Sequence, residues 1–169
     1  MSKISVAIRG ATGSVGQKFL ELLFEHPLFQ VKELAASEKS AGKKYKHAAN
    51  WLMQKTLRNE IAEMTIKACR PTLISKVVFS ALDASVAEDI EEDFAKAGYI
   101  VISNARNHRY DLNVPLVIPE VNPDHLDMIK FQNYRSGAII TNPNCSTIGM
   151  VLALKPIHDQ FGIESLNVV

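Results

Sequence analysis

An α/β fold, a mostly parallel sheet covered by helices on both faces, is predicted by three observations in this 169-residue chain. Short apolar runs alternate with longer amphipathic ones, the pattern of repeated strand–helix–strand units. A glycine-spaced loop, Gly10-Ala11-Thr12-Gly13-Ser14-Val15-Gly16, joins the first apolar run to the first amphipathic one. A later strand-to-helix passage, Asn142-Pro143-Asn144-Cys145-Ser146-Thr147, carries a cysteine at the expected helix start. Both passages fall at the carboxyl ends of strands, where open sheets of this kind bind their ligands.

The elements follow in order. Ile4 to Ile8 reads as a first strand, and Val15 to Phe24 as a helix with Phe19, Leu20, Leu23 and Phe24 on one face. Gln30 to Ala36 is a second strand, followed by a polar, lysine-bearing loop from Ser37 to Asn50. Thr65 to Ala68 suggests a short strand and Val77 to Ala81 a stronger one. Ser85-Val86-Ala87-Glu88 has the form of a capping box, and Gly98 stands where the helix would stop. That helix is expected to bury Val86, Ile90, Phe94 and Ala97. Tyr99 to Ile102 is the next strand, and Asn122-Pro123 predicts an N-cap and first helical residue of a helix toward Tyr134. Ala138 to Thr141 is a further strand. The helix after the cysteine runs to Phe161, and Pro156 should bend or interrupt it. Ile163 to Val169 reads as the start of another strand, and a strand that stops with the chain suggests truncation.

Composition narrows the class. At 47% hydrophobic residues the chain can build a core, and its length suits about one domain. A net charge of +1 gives no field that draws it to nucleic acid or anionic lipid. Cys69 and Cys145 make no disulfide framework, and free thiols suit the cytoplasm. Arg9 and Gly10 interrupt the N-terminal apolar segment too early for a signal peptide. No apolar run approaches the length of a membrane span. The expectation is a cytoplasmic protein with a small-molecule substrate, without nucleic-acid or membrane partners and without a metal site.

The glycine loop is spaced G-x-x-G-x-x-G, one residue longer than the usual dinucleotide fingerprint, but the physics is the same. Glycines let the backbone approach a ligand, and the N–H groups of Thr12, Gly13, Ser14 and Val15 point at a pyrophosphate. Nucleotide type is read after the second strand, at Ser37-Glu38-Lys39-Ser40 followed by Lys43, Lys44 and Lys46. Glu38 suits a free ribose 2′-hydroxyl, whereas the serines and lysines suit a 2′-phosphate and favour NADP. At Cys145 the unpaired N–H groups of a first helical turn favour a thiolate, which can attack a carbonyl and hold the product as a thioester. Cys69, beside Arg70-Pro71, reads as structural.

Six segments together resemble the aspartate-β-semialdehyde dehydrogenases, in particular the archaeal and fungal form. They are Gly10 to Gly16, ASEKSAGKKY from Ala36 to Tyr45, Phe79 to Leu82, Ser103 to Ala105, VPLVIPEVN from Val114 to Asn122, and IITNPNCSTIG from Ile139 to Gly149. The resemblance implies a Rossmann-like NADP-binding domain over residues 1–148. A connecting helix and the start of a catalytic and dimerisation domain would occupy 149–169, with the rest of that second domain essentially absent. It also implies NADPH-dependent reduction of aspartyl phosphate to aspartate semialdehyde with release of phosphate, on the route to lysine, threonine and methionine.

In that reading Cys145 is the nucleophile, Arg109 grips the phosphate and Asn144 lies beside the acyl group. Ser37 and Ser40 meet the 2′-phosphate, while Ser80, Ala81, Asn104 and Asn142 line the cofactor. Arg106 and His108 have no assigned role, and His108 is expected as a loop residue. Family members are homodimers or tetramers about twice this long, and the second domain supplies a histidine acid/base. None of His26, His47, His108, His125 and His158 matches it. The chain alone is therefore expected to be nearly inactive, since a missing acid/base costs ~10²–10⁴-fold in rate. Alternatives are the related acyl reductases acting on malonyl-CoA or N-acetylglutamyl phosphate, or a nucleotide-binding module without chemistry.

Overall fold

Val6 to Arg9 are buried consecutively, because this part of their strand is covered on both faces. The computed structural model describes residues 2–168, and this strand, β1 (Ile4–Arg9), lies at the centre of a six-stranded sheet. β2 (Phe29–Ala36) and β3 (Lys67–Ala68) lie to one side, and β4 (Val77–Ser80), β5 (Ile100–Ser103) and β6 (Ala138–Thr141) to the other. The order is β3-β2-β1-β4-β5-β6 and every pairing is parallel. Strand order reverses between β1 and β4, so the loops leaving those strands diverge and open a crevice.

Among the described residues five α-helices accompany the sheet: α1 (Ser14–Leu23), α2 (Tyr45–Ala48), α3 (Asn59–Ala62), α4 (Ala84–Lys96) and α5 (Cys145–Phe161). Alternation along β1 sends Val6 and Ile8 to one face and Ala7 to the other. On the first face they join Leu20 and Leu23 of α1, Leu34, Tyr45 and Ile61. On the second, Ala7 packs with Val78, Phe94 of α4, Tyr99, Val101 and Ile139. Helices thus cover both faces, as the alternating runs predicted. Among the described residues there is one sheet and no second domain, and no helix is long and apolar enough to cross a membrane.

Several local expectations are corrected. The capping box at Ser85 does not form: α4 begins two residues earlier, with Asp83 at the N-cap, and Glu88 instead accepts from Asn107 Nδ2 at 3.2 Å. The buried face comprises Ala87, Glu91, Phe94 and Ala95, leaving Val86 and Ala97 exposed. Asn122 does sit at an N-cap before Pro123, but the segment is a 3₁₀ helix, Pro123–Phe131, rather than an α-helix to Tyr134. The Asn122 side chain is drawn away from capping by bonds to the Ile118 amide and the Leu116 carbonyl, 2.8 and 2.9 Å. α5 continues through Pro156, which removes one N–H while the flanking turns keep theirs. Residues 163–168 form no strand, since no neighbour offers them a ladder; Val169 lies outside the described residues.

Candidate active site

The glycine loop is built by close backbone approach. Gly10 has φ +68°, and a Cβ there would lie 2.3 Å from the Ala81 carbonyl oxygen at the end of β4. A Cβ on Gly16 would lie 2.2 Å from the Gly10 carbonyl oxygen, so α1 can cross the loop only with glycine there. Two side chains fix the loop from below. The buried Tyr45 hydroxyl donates to the Ala11 carbonyl at 2.8 Å, and burial pushes that phenol above its ordinary range. Gln17 Nε2 donates to the Thr12 carbonyl at 3.0 Å. The N-cap of α1 is Gly13, which offers no side-chain cap, and the first turn holds no acidic residue. Uncapped N–H groups and a positive helix end are therefore left for an anionic ligand, which fits the pyrophosphate of a dinucleotide.

A crevice of about 510 Å³ opens in front of this loop. Of the residues expected to hold the cofactor, Thr12, Gly13, Ser14, Val15, Ser37 and Ala81 line it. Ser40, Ser80, Asn104 and Asn142 stand outside its wall. Ser80 is wholly buried, with its hydroxyl committed to Glu91. Sequence reasoning missed Cys69 and Arg70, which line the crevice beside Ser37. Cys69, expected as merely structural, thus borders the crevice. Burial pushes its thiol up, opposed by the nearby Arg9 guanidinium. Arg70 pairs with Glu38 at 3.1 Å, and both side chains are 71% exposed. Glu38, expected to suit a free ribose 2′-hydroxyl, thus faces an arginine across an exposed ion pair.

The other end of the same sheet edge carries the cysteine. Cys145 is exposed at the first position of α5. Asn144 is the N-cap, its Oδ1 accepting from the Thr147 amide at 3.0 Å. Asn104, just beyond β5, joins the remaining parts. Its Oδ1 accepts from Asn142 Nδ2 at 3.1 Å, and its carbonyl accepts from Arg109 Nη2 at 3.0 Å. Arg109 sits on a one-turn 3₁₀ helix, Asn107–Tyr110, half-buried, with its Nε lacking a partner. His108, expected as a loop residue, lies on the same 3₁₀ turn and is buried, with Nδ1 2.7 Å from Asp111 Oδ2. Since β6 is two strands from β4, Cys145 stands roughly 10 Å along the edge from the glycine-loop crevice.

The model of the family described as "Semialdehyde dehydrogenase, NAD binding domain" matches residues 5–129. The chain belongs to that family. Among similar semialdehyde dehydrogenases, the aspartate-semialdehyde dehydrogenase of Schizosaccharomyces pombe is 48% identical over 97% of this chain and 48% of its own length. That of Methanothermobacter thermautotrophicus is 46% identical over 98% of this chain and 49% of its own. The crystal structure of the Candida albicans enzyme with NADP superposes with a TM-score of 0.87 at 45% identity, covering 96% of this chain and 48% of the other. The chain thus spans about half the length of the curated relatives it matches, and the two named come from a fungus and an archaeon, the form the six segments resemble.

Proposed function

We propose that this chain binds NADP in the glycine-loop crevice, and that the full-length enzyme reduces L-4-aspartyl phosphate to L-aspartate 4-semialdehyde. The observation that carries this reading is the exposed cysteine at a helix start, on the same sheet edge as an uncapped glycine-rich helix start. The amides of Thr12 to Val15 hold the pyrophosphate. Ser37, Ser40 and Arg70 receive the 2′-phosphate, with Arg70 released from Glu38. Ser80, Ala81, Asn104 and Asn142 shape the path toward the nicotinamide. Bound NADPH supplies the hydride that reduces the acyl group.

The rest is done by side chains of this chain. Cys145 sulfur attacks the acyl-phosphate carbonyl, the C–O bond to phosphate breaks, and a thioester forms. Arg109, whose planar fork fits phosphoryl oxygens, steadies the leaving phosphate, which takes up one proton. Asn144 lies beside the acyl carbonyl. Reduction of the thioester breaks the C–S bond and returns Cys145 to its starting state. The same steps reversed oxidise and phosphorylate the aldehyde. The exposed thiol suits the cytoplasm, and we assign the full-length enzyme a homodimeric or tetrameric assembly.

Assay of the full-length enzyme with NADP⁺, phosphate and aspartate semialdehyde, against N-acetylglutamate semialdehyde, and with NADPH and malonyl-CoA, tests the reading. Turnover confined to aspartate semialdehyde supports it. Preference for either other substrate overturns it.

A further inference from the structure

Beneath the crevice lies a buried polar cluster that the proposed chemistry does not use. Arg9, Ser80 and Ser103 end β1, β4 and β5 and stand side by side on one rung of the sheet. The residues that follow them are Gly10, Ala81 and Asn104, which form the crevice edge and the anchor of Arg109. Glu91 of α4 rises against that rung and is fully buried. Its Oε1 accepts from Ser80 Oγ at 2.5 Å and from Ser103 Oγ at 2.8 Å. Ser103 Oγ in turn accepts from the Ala105 amide at 3.0 Å.

The other side of the carboxyl group is unusual. Glu91 Oε2 faces His108 Nε2 at 3.8 Å, too far for a direct hydrogen bond, and neither atom has another partner. His108 belongs to the turn that carries Arg109. The Arg9 guanidinium lies 4.0 Å above the Phe94 ring, and its charge faces Cys69 as well as Glu91. Buried groups of this kind cost stability, and apolar side chains of similar volume would serve a core at least as well. Their placement under the strand ends that border the site gives them another use.

We propose that Glu91 is a positioning residue for cofactor binding. By holding Ser80 and Ser103 it clamps the ends of β4 and β5, and so fixes Ala81, Asn104 and, through Asn104, Arg109. This rests on the NADP-binding reading above. A dinucleotide held by Ser37 and Arg70 at the β2 end and reaching toward Cys145 beyond β6 crosses β4 and β5 with its nicotinamide half. Glu91 therefore acts on that half and not on the adenosine half.

Calorimetric titration of this chain with NADP⁺ and with 2′,5′-ADP, well below the melting temperature, tests it. Loss of two hydrogen bonds to a carboxylate should make Glu91→Ala bind NADP⁺ at least about tenfold more weakly, while 2′,5′-ADP stays within about twofold. In Glu91→Gln the amide oxygen still accepts both hydroxyls, so NADP⁺ affinity should return to within about threefold of wild type. Ser80→Ala and Ser103→Ala should each cost NADP⁺ about threefold, and should add nothing in the Glu91→Ala background. These serine variants decide the matter alone if Glu91→Ala does not fold. Equal losses for both ligands, wild-type NADP⁺ affinity in the folded variants, additive serine effects, or failure of Gln to restore binding would each overturn the role given to Glu91. A wild-type chain that binds neither ligand overturns the nucleotide reading and this role together. A wild-type chain that binds both, with Glu91→Ala unchanged, overturns this role only.

Discussion

Cys145 and Cys69 show how position divides the labour of two chemically identical side chains. Cys145 is exposed at a helix start, whereas Cys69 is half-buried in the crevice wall with its thiol pushed up by burial. At neutral pH iodoacetamide should therefore modify Cys145 well before Cys69, and saturating NADP⁺ should slow modification of Cys69; peptide mass spectrometry reads both rates. Replacing Arg70 by alanine should weaken NADP⁺ about tenfold, the loss of one charge-assisted contact, and leave NAD⁺ nearly unchanged in the same titration. Cys145 was legible in the sequence because strand, cysteine and helix are adjacent in the chain. Cys69 and Arg70 were not, because a two-residue strand leaves almost no periodic signal and only its pairing with β2 brings them beside Ser37.

The elements are held at their ligand-binding ends by buried polar side chains as well as by apolar packing. Removing the Tyr45 hydroxyl with phenylalanine leaves the Ala11 carbonyl unpaired, and should cost about 1 kcal/mol in chemical denaturation as well as weakening nucleotide affinity. Glu33 does similar work at the opposite side of the sheet. Burial raises its carboxyl group, but Lys67 at 2.6 Å and the Ser75 and Ile74 amides at 2.6 and 3.1 Å outweigh burial and hold it at about 2 against an ordinary 4.5.

A carboxyl group depressed in the folded state contributes stability above its unfolded value and loses it as pH falls through the folded one. Glu33→Gln should thus melt at a lower temperature at neutral pH, and should show a flatter dependence of melting temperature on pH between about 4.5 and about 2. Equal slopes in that window would refute the contribution. Helix and strand order could be read from periodicity, since apolar spacing records which faces are covered. Caps could not, because Ser85 and Asp83 are both competent and the register of Phe94 and Ala95 on the sheet decides between them.

At the scale of the molecule, one edge of one sheet gathers the glycine loop, the crevice, Arg109 and Cys145. α5 buries none of its side chains among the described residues, and Ile157 and Phe161 are half or more exposed. None of the five histidines here matches the acid/base histidine that the resemblance implies, so the isolated chain should reduce substrate ~10²–10⁴-fold more slowly than a full-length relative assayed alongside it. Comparable rates would show that the 169 residues are catalytically self-sufficient. The site's two halves lie four strands apart, roughly 19 Å from the β2 end to the β6 end, and a bound dinucleotide must bridge them. A crystal structure of this chain with NADP⁺ measures that bridge directly. Expected is a pyrophosphate on the amides of residues 12–15 and a nicotinamide C4 within about 4 Å of where an acyl carbon on Cys145 would stand. A nicotinamide turned away from β5 and β6, or a nucleotide bound outside the glycine loop, would contradict it.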